Sequence, residues 1–278
     1  MQIGFLTGIL RHYSLVQLVE WASQNGFGAL EIYAAPGNPH IDPAKLSEDD
    51  VGQIKELLSR TRITISSLAY YANPLDPDPE KRAAVIAHLK KLFEACSKLD
   101  VPVVCTMAGM PVPGKDRLGT IREDMPEVFS DLVRLAGDRG LKIALENWYP
   151  TLLQNLECWD AVFEAVPAPN LGLNFDPSHL YHQQVDYLWA VEKFSARIFH
   201  AHAKDTAVLE HRLRYVGNQA GGWWRYCIPG YGEVRWPQFI SALKAAGFDG
   251  ALSIEHEDGL LGKEEGLLKG KAFLERLI

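Results

Sequence analysis

Cysteine is scarce. The 278 residues include four, Cys96, Cys105, Cys158 and Cys227, and no two of them stand in a CxxC pair. That scatter offers neither a zinc cage nor a disulfide framework, so small buried thiols in a reducing, cytoplasmic setting are expected. Long apolar runs are missing as well. The amino terminus passes from Met1-Gln2 directly into Ile3-Gly4-Phe5-Leu6, without the basic region and extended apolar core of a signal peptide, and no stretch is long enough to cross a bilayer. Basic runs are also absent. With 28 Lys and Arg against 35 Asp and Glu, a formal net charge of −7, the chain has no clustered cations with which to displace counterions from nucleic acid. A small polar ligand remains the expected partner. Nor does a glycine-rich phosphate loop follow the first strand, where Thr7-Gly8-Ile9-Leu10 stands, and this argues against a doubly wound nucleotide fold.

Short apolar runs alternate with longer segments of helical period from end to end, the pattern of a parallel sheet built from βα units. Eight units can be counted, and 278 residues suit a single (β/α)8 domain spanning residues 1–278. Strands are expected near Gln2–Leu6, Ala29–Tyr33, Ile63–Ala69, Val101–Thr106, Lys142–Leu145, Leu171–Phe175, Arg197–Ala201 and Ala251–Ile254. Helices are expected near Ser14–Gln24, Ser47–Arg60, Pro79–Lys98, Ile121–Arg139, Leu156–Val166, Asp186–Phe194, Trp236–Ala246 and Lys263–Leu277. Ser47 with Asp50 three residues on reads as a helix opening, and Gly247 as a helix stop. The proline-rich stretch Pro74 to Pro79 reads as a rigid loop. The long segment from Thr206 to Glu233, dense in aromatics, reads as a lid or pocket wall.

Four strands end in residues able to bind a metal. Leu171–Phe175 runs into Asp176-Pro177-Ser178-His179, and Arg197–Ala203, carrying His200 and His202, runs into Lys204-Asp205. Leu141–Leu145 meets Glu146-Asn147, and Gly250–Ile254 meets Glu255-His256-Glu257-Asp258. Alternate strand residues share a face, so His200 and His202 point the same way. Each cluster alone could be ordinary strand punctuation. A barrel would bring all four to one mouth, where carboxylates with an imidazole suit a divalent ion of intermediate hardness.

In this order, Ala144-Leu-Glu146-Asn147, Asp176-Pro-Ser-His179, His200-Ala-His202-Ala-Lys204-Asp205, Pro229-Gly-Tyr-Gly232 and Ser253-Ile-Glu255 resemble the sugar phosphate isomerase/epimerase superfamily of xylose isomerase-like TIM barrels, also called the AP endonuclease 2 family. The resemblance covers nearly the whole chain. It implies that Glu146, Asp176, His202 and Glu255 hold one divalent ion, commonly manganese, with cobalt, magnesium or zinc as substitutes. It further implies that Glu146 and Glu255 are the catalytic pair, moving a proton on opposite faces of a metal-stabilised enediolate, and that His179 contacts a substrate oxygen. A cap or core role is the other reading of His179. His200 is expected to support a ligand by a hydrogen bond rather than to bind the ion. Lys204 is expected either to contact a substrate oxygen or phosphate or to pair with Asp205. Trp224 and Arg225 are expected sugar contacts, one by stacking and one by forking to oxygens.

The expected activity is therefore that of an isomerase or epimerase on a keto-sugar or related polyol, with a homo-oligomer possible. A lyase acting on an inosose or keto-glycoside would use the same enediolate, and a sugar-binding barrel without turnover is a further reading. An endonuclease would need histidines after strands three and four, where Tyr70-Tyr71 and Thr106-Met107 stand. One departure bears on the substrate. Ketohexose 3-epimerases carry a glutamate and an arginine at positions occupied here by Leu152 and Val208, which points away from a free hexulose.

Overall fold

The computed structural model describes residues 1–278. Numbering all strands in chain order, β1 (Gln2–Leu6), β2 (Ala29–Tyr33), β3 (Thr64–Tyr70), β4 (Val103–Met107), β5 (Lys142–Glu146), β6 (Leu171–Phe175), β7 (Ile198–Ala203) and β10 (Ala251–Ile254) are the eight parallel staves. They close in the order β1-β10-β7-β6-β5-β4-β3-β2, which is the TIM barrel that the alternation of strand and helix implies. β7 runs two residues beyond the expected end, so His202 lies within the strand and Lys204 directly follows it.

Each helix returns the chain to the next stave. α1 (Leu15–Gln24) and α2 (Glu48–Thr61) both open with a capping box, that of α2 formed by Ser47 and Asp50. α3 (Pro79–Leu99) starts on Pro79, whose missing N–H costs nothing in a first turn. The expected helix Ile121–Arg139 is instead two, α4 (Arg117–Glu123) and α5 (Met125–Gly137). Pro126 explains the break, because its ring can open a helix but cannot continue one. α6 (Leu156–Ala165), a short α7 (Pro177–Tyr181), α8 (Tyr187–Lys193), α10 (Trp236–Ala245) and α11 (Lys263–Leu274) complete the ring.

Strand alternation sorts the residues into two interiors. Leu68, Val104, Ile143, Leu145 and Leu173 face outward into a core of 65 buried residues between sheet and helices. Inside the barrel the apolar cluster shrinks to Ala69, Val103, Cys105 and Ala144. Leu6, Tyr71 and Phe199 pack against that cluster, and two register shifts lie beside buried polar residues, one between Leu30 and Glu31 and one between Leu173 and Asn174. Such bulges re-aim side chains where a site needs them.

The segment Thr206–Glu233 is not a plain loop. β8 (Asp205–Val208) pairs antiparallel with β9 (Trp224–Cys227), and α9 (Glu210–Val216) lies between them. Asp205 anchors the hairpin. Its Oδ1 accepts from the backbone N–H of Thr206 (2.8 Å) and Val234 (2.9 Å), and its Oδ2 from Gly230 (3.0 Å), Gly232 (3.2 Å) and the Trp236 indole (2.8 Å). This explains Pro229-Gly-Tyr-Gly232: a Cβ on Gly232 would lie 2.4 Å from Asp205 Oδ1, so only glycine permits the approach. In Asp205→Ala these donors lose their acceptor, at about 1–3 kcal/mol for each one left buried and unpaired. Urea unfolding should show a loss of about 3 kcal/mol or more, and a loss under about 0.5 kcal/mol would mean the carboxylate is not the anchor.

Candidate active site

Four strand ends converge on one mouth. Glu146 closes β5, Asp176 follows β6, His202 lies in β7, and Glu255 follows β10. Donor atoms of Glu146, Asp176, Glu255 and His179 all lie within 4.8 Å of one another. His202 turns its Nδ1 into the same group, 3.3 Å from Glu146 Oε1, 3.2 Å from Glu255 Oε2 and 3.8 Å from Asp176 Oδ2. That nitrogen and Asp176 Oδ2 are both buried without a hydrogen-bond partner. A buried polar atom is normally satisfied by an aligned hydrogen bond, so two atoms held in one gap by ion-pair distances alone (Lys204 Nζ is 3.2 Å from Asp176 Oδ2) suggest a group that would complete them. Three carboxylates and an imidazole fit a divalent cation, which would also relieve their mutual repulsion.

Local structure fixes these donors. Asp176 caps α7 by accepting from the Ser178 N–H through Oδ1 (2.8 Å), which turns Oδ2 into the mouth, 3.2 Å from Lys204 Nζ. Asn147, next to Glu146, accepts from the Asp176 N–H (2.7 Å) and donates to its carbonyl (2.8 Å), so two neighbouring strand ends are locked in register.

Glu31, in the middle of β2, is a residue that strand-end reasoning missed. It is fully buried and accepts from Ser253 Oγ (2.7 Å) and the Tyr71 hydroxyl (2.5 Å), and it lies 3.0 Å from His202 Nε2. Burial pushes its carboxyl up, but the charge of His202 and the hydrogen bonds of His202 and Tyr71 outweigh this and hold it at about 2. An ionised carboxylate only accepts, so it favours a proton on Nε2 and leaves the Nδ1 of His202 facing the carboxylates. Its sequence signal was an acid inside the apolar run Ala29-Leu-Glu-Ile-Tyr33, where an unpaired charge would be costly. Glu31→Gln should weaken metal affinity about 10–100-fold, the usual effect of losing such an orienting partner. Titration with a chelator competitor checks this, and an unchanged affinity would contradict it.

His200 does not bond a ligand directly, contrary to expectation. Its Nδ1 meets Asn174 Oδ1 (2.9 Å) and its Nε2 meets Ser66 Oγ (3.0 Å), and the Asn174 amide donates to the Tyr71 hydroxyl (2.9 Å). Burial pushes its imidazole down to about 4, so it is neutral. Glu31, Cys105 and His200 also cluster. They do not fit a second ion, because both His200 nitrogens are engaged and burial pushes the Cys105 thiol well up, away from the thiolate a metal needs.

Lys204 is the buried counter-charge. Its Nζ lies 2.5 Å from Glu255 Oε2 and 3.2 Å from Asp176, Glu257 and His179 Nε2. The alternative pairing with Asp205 does not form, since that carboxylate faces the hairpin instead. Burial alone would lower the ammonium, but Asp176, Glu255, Glu257 and Glu146 raise it well above its ordinary value. The carboxyls of Glu146 and Asp176 are held far below the usual range: burial pushes both up, and the neighbouring imidazoles and Lys204 overcome it. Burial lowers His202 too, yet Glu31, Glu255, Asp176 and Glu146 raise it well above 6.5. That direction favours the protonated ring, whose Nδ1 proton an ion bound there would have to displace. Metal affinity should rise about tenfold per pH unit around neutrality, as one bound proton is exchanged. Calorimetry in buffers of different ionisation enthalpy should count that proton, and a pH-independent affinity would contradict the exchange.

The mouth opens into a cavity of about 580 Å3, walled by Met107, Trp148, Tyr149, Trp224 and Tyr226 above the carboxylates. Trp224 stacks on His182 at 4.0 Å, and the Tyr226 hydroxyl meets His179 Nδ1 at 2.6 Å. Trp224 thus reaches the cavity, but Arg225 does not. On β9 it faces away from Trp224 and Tyr226 and binds Asp258 Oδ1 at 2.9 Å. Leu152 is buried in the core and Val208 lies in β8, so neither supplies a polar clamp.

A model of the xylose isomerase-like TIM barrel family matches residues 19–277. Among curated proteins, YfiH of Bacillus subtilis, which is uncharacterised, is 27% identical over all of this chain and 99% of its own length. An inosose isomerase of Halalkalibacterium halodurans is 25% identical, covering 88% of this chain and 84% of that protein. A crystal structure of IOLI protein with a bound zinc atom shares the fold at a TM-score of 0.78 and 21% identity, over 100% of this chain and 98% of the other. No helix here is long and apolar enough to cross a membrane.

Proposed function

The chain belongs to the xylose isomerase-like TIM barrel family, and from that premise we propose that it is a divalent-metal-dependent isomerase or epimerase of a small keto-sugar or related polyol. Glu146, Asp176, His202 and Glu255 would hold the ion, for which manganese is proposed over cobalt, magnesium or zinc. One observation carries the reading: the buried Nδ1 of His202, which makes no aligned hydrogen bond and is aimed between Glu146 and Glu255 while Glu31 holds the opposite nitrogen.

When bound, the ion supplies a Lewis acid for the carbonyl and an adjacent hydroxyl, which acidifies the C–H bond between them. The chain's own residues would do the rest. Glu146 and Glu255 approach from different staves, so one can take the proton from one face of the carbon and the other return one to the opposite face. Lys204 steadies the charge of Glu255, and His179, held by Tyr226, would donate to a substrate oxygen. The aromatic wall offers faces on which a sugar ring can stack.

Manganese-loaded protein in deuterated water, presented with keto-sugars and inososes, is expected to place solvent deuterium on the carbon beside the carbonyl. If instead a conjugated carbonyl product absorbing in the ultraviolet accumulates, the proton abstraction ends in elimination. If no substrate exchanges deuterium while the metal stays bound, the proposal fails.

A further inference from the structure

The mouth has a second lobe that the proton transfer does not use. A cavity of about 380 Å3 lies on the β1–β2 side, walled by Leu6, Ile9, Tyr33 and His256. It shares Tyr71, Glu255 and Glu257 with the 580 Å3 cavity that holds Glu146 and the aromatic wall. Each lobe by itself falls within the size of a small-molecule site, roughly 300–1,000 Å3. Only the larger lobe is flanked by both Glu146 and Glu255, so the reacting ring must lie there. The smaller one adjoins the Glu255 edge and is mostly apolar.

Charge narrows what could span the two. The only cation lining either lobe is Lys204, and its Nζ is taken up by Glu255, Asp176 and Glu257. The imidazole of His256 is also committed, its Nε2 to the Gly262 carbonyl (3.0 Å) and its Nδ1 to the Asp258 N–H (3.2 Å). No cationic group is left to fork onto a phosphate, and Glu257 at the shared rim would repel one.

We propose that this second lobe is a subsite for the aglycone of a neutral keto-glycoside, a second uncharged ring or apolar group whose sugar ring lies against Glu146 and Glu255. The inference rests on the isomerase reading for the identity of the reacting ring, but the subsite can be tested by binding alone. Gly8 provides the variant. Its backbone is outside the left-handed region, and a Cβ there would meet the Tyr33 side chain at an ordinary 3.6 Å, so Gly8→Leu adds apolar volume to the lobe from its β1 wall, and an unchanged metal content checks that Glu255 on the far edge is undisturbed.

Calorimetric titration of the manganese-loaded protein with the methyl and phenyl glycosides of one hexose, which need not react, reads the subsite directly. The phenyl glycoside is expected to bind at least tenfold more tightly than the methyl one, and Gly8→Leu should remove that advantage while leaving the methyl glycoside and the metal content unchanged. Tyr33→Ala should reduce the same advantage if the leucine variant does not fold. Equal affinities of the two glycosides in the parent protein, or an advantage that survives both variants, would overturn the subsite even if turnover of a keto-sugar is found. Conversely, a phenyl advantage without any deuterium exchange would keep the subsite and remove the isomerase reading. Tighter binding of a hexose phosphate than of the phenyl glycoside would overturn the claim of neutrality.

Discussion

Glu146→Gln and Glu255→Gln should each keep metal partly bound while turnover falls by about two to four orders of magnitude, the usual share of a positioned general base. Gln preserves a carbonyl oxygen at the same reach, so the ion loses one charge among its donors but not the donor itself. What disappears is the ability to accept a proton. The two variants should differ in kind. If one still exchanges solvent deuterium into a ketose without making product, the glutamate it lacks is the one that returns the proton on the far face, and the surviving glutamate is the abstracting base. Near-normal turnover in both, with metal in place, would rule out the two-glutamate mechanism.

His202→Ala and Asp176→Asn should abolish stable metal binding, whereas His179→Ala should retain the ion and raise KM. The contrast is demanding, because both imidazoles reach the carboxylates: His179 Nε2 is 3.5 Å from Glu146 and from Asp176. The second nitrogens are the ground for the proposed assignment. That of His202 faces the ionised Glu31, which fixes its tautomer, while that of His179 meets a tyrosine hydroxyl able to donate or accept. His202→Ala also leaves Glu31 buried beside one imidazole fewer, an uncompensated charge that should cost a few kcal/mol of stability. Loss of metal in His179→Ala, with retention in His202→Ala, would exchange the two assignments.

Much of this arrangement could be read in the sequence, because a parallel barrel marks itself by apolar runs that stop at polar residues. Glu146, Asp176, His202 and Glu255 each stand at or near such a stop. Glu31 does not. It lies inside a strand, and its meaning depends on barrel closure bringing β2 opposite β7, a contact between residues 171 positions apart. The hairpin was illegible for a different reason: β8 and β9 are four residues each, too short for a period to show. Reading that segment as a loop placed Trp224 and Arg225 together at the substrate, but neighbours on a strand face opposite ways, and the residue that joins Trp224 at the cavity is Tyr226. The same alternation separates Lys204 from Asp205, one turned into the mouth and the other into the Pro229–Gly232 turn.

The most direct test of metal-dependent proton transfer uses one sample, stripped with chelator and then reconstituted with manganese, assayed for bound metal and for solvent deuterium incorporation into a keto-sugar. Exchange should be absent in the stripped protein and return in proportion to occupancy, reaching its limit at one ion per chain. Exchange at full rate in excess chelator, or one bound ion per chain with no exchange into any keto-sugar or inosose, would contradict the account.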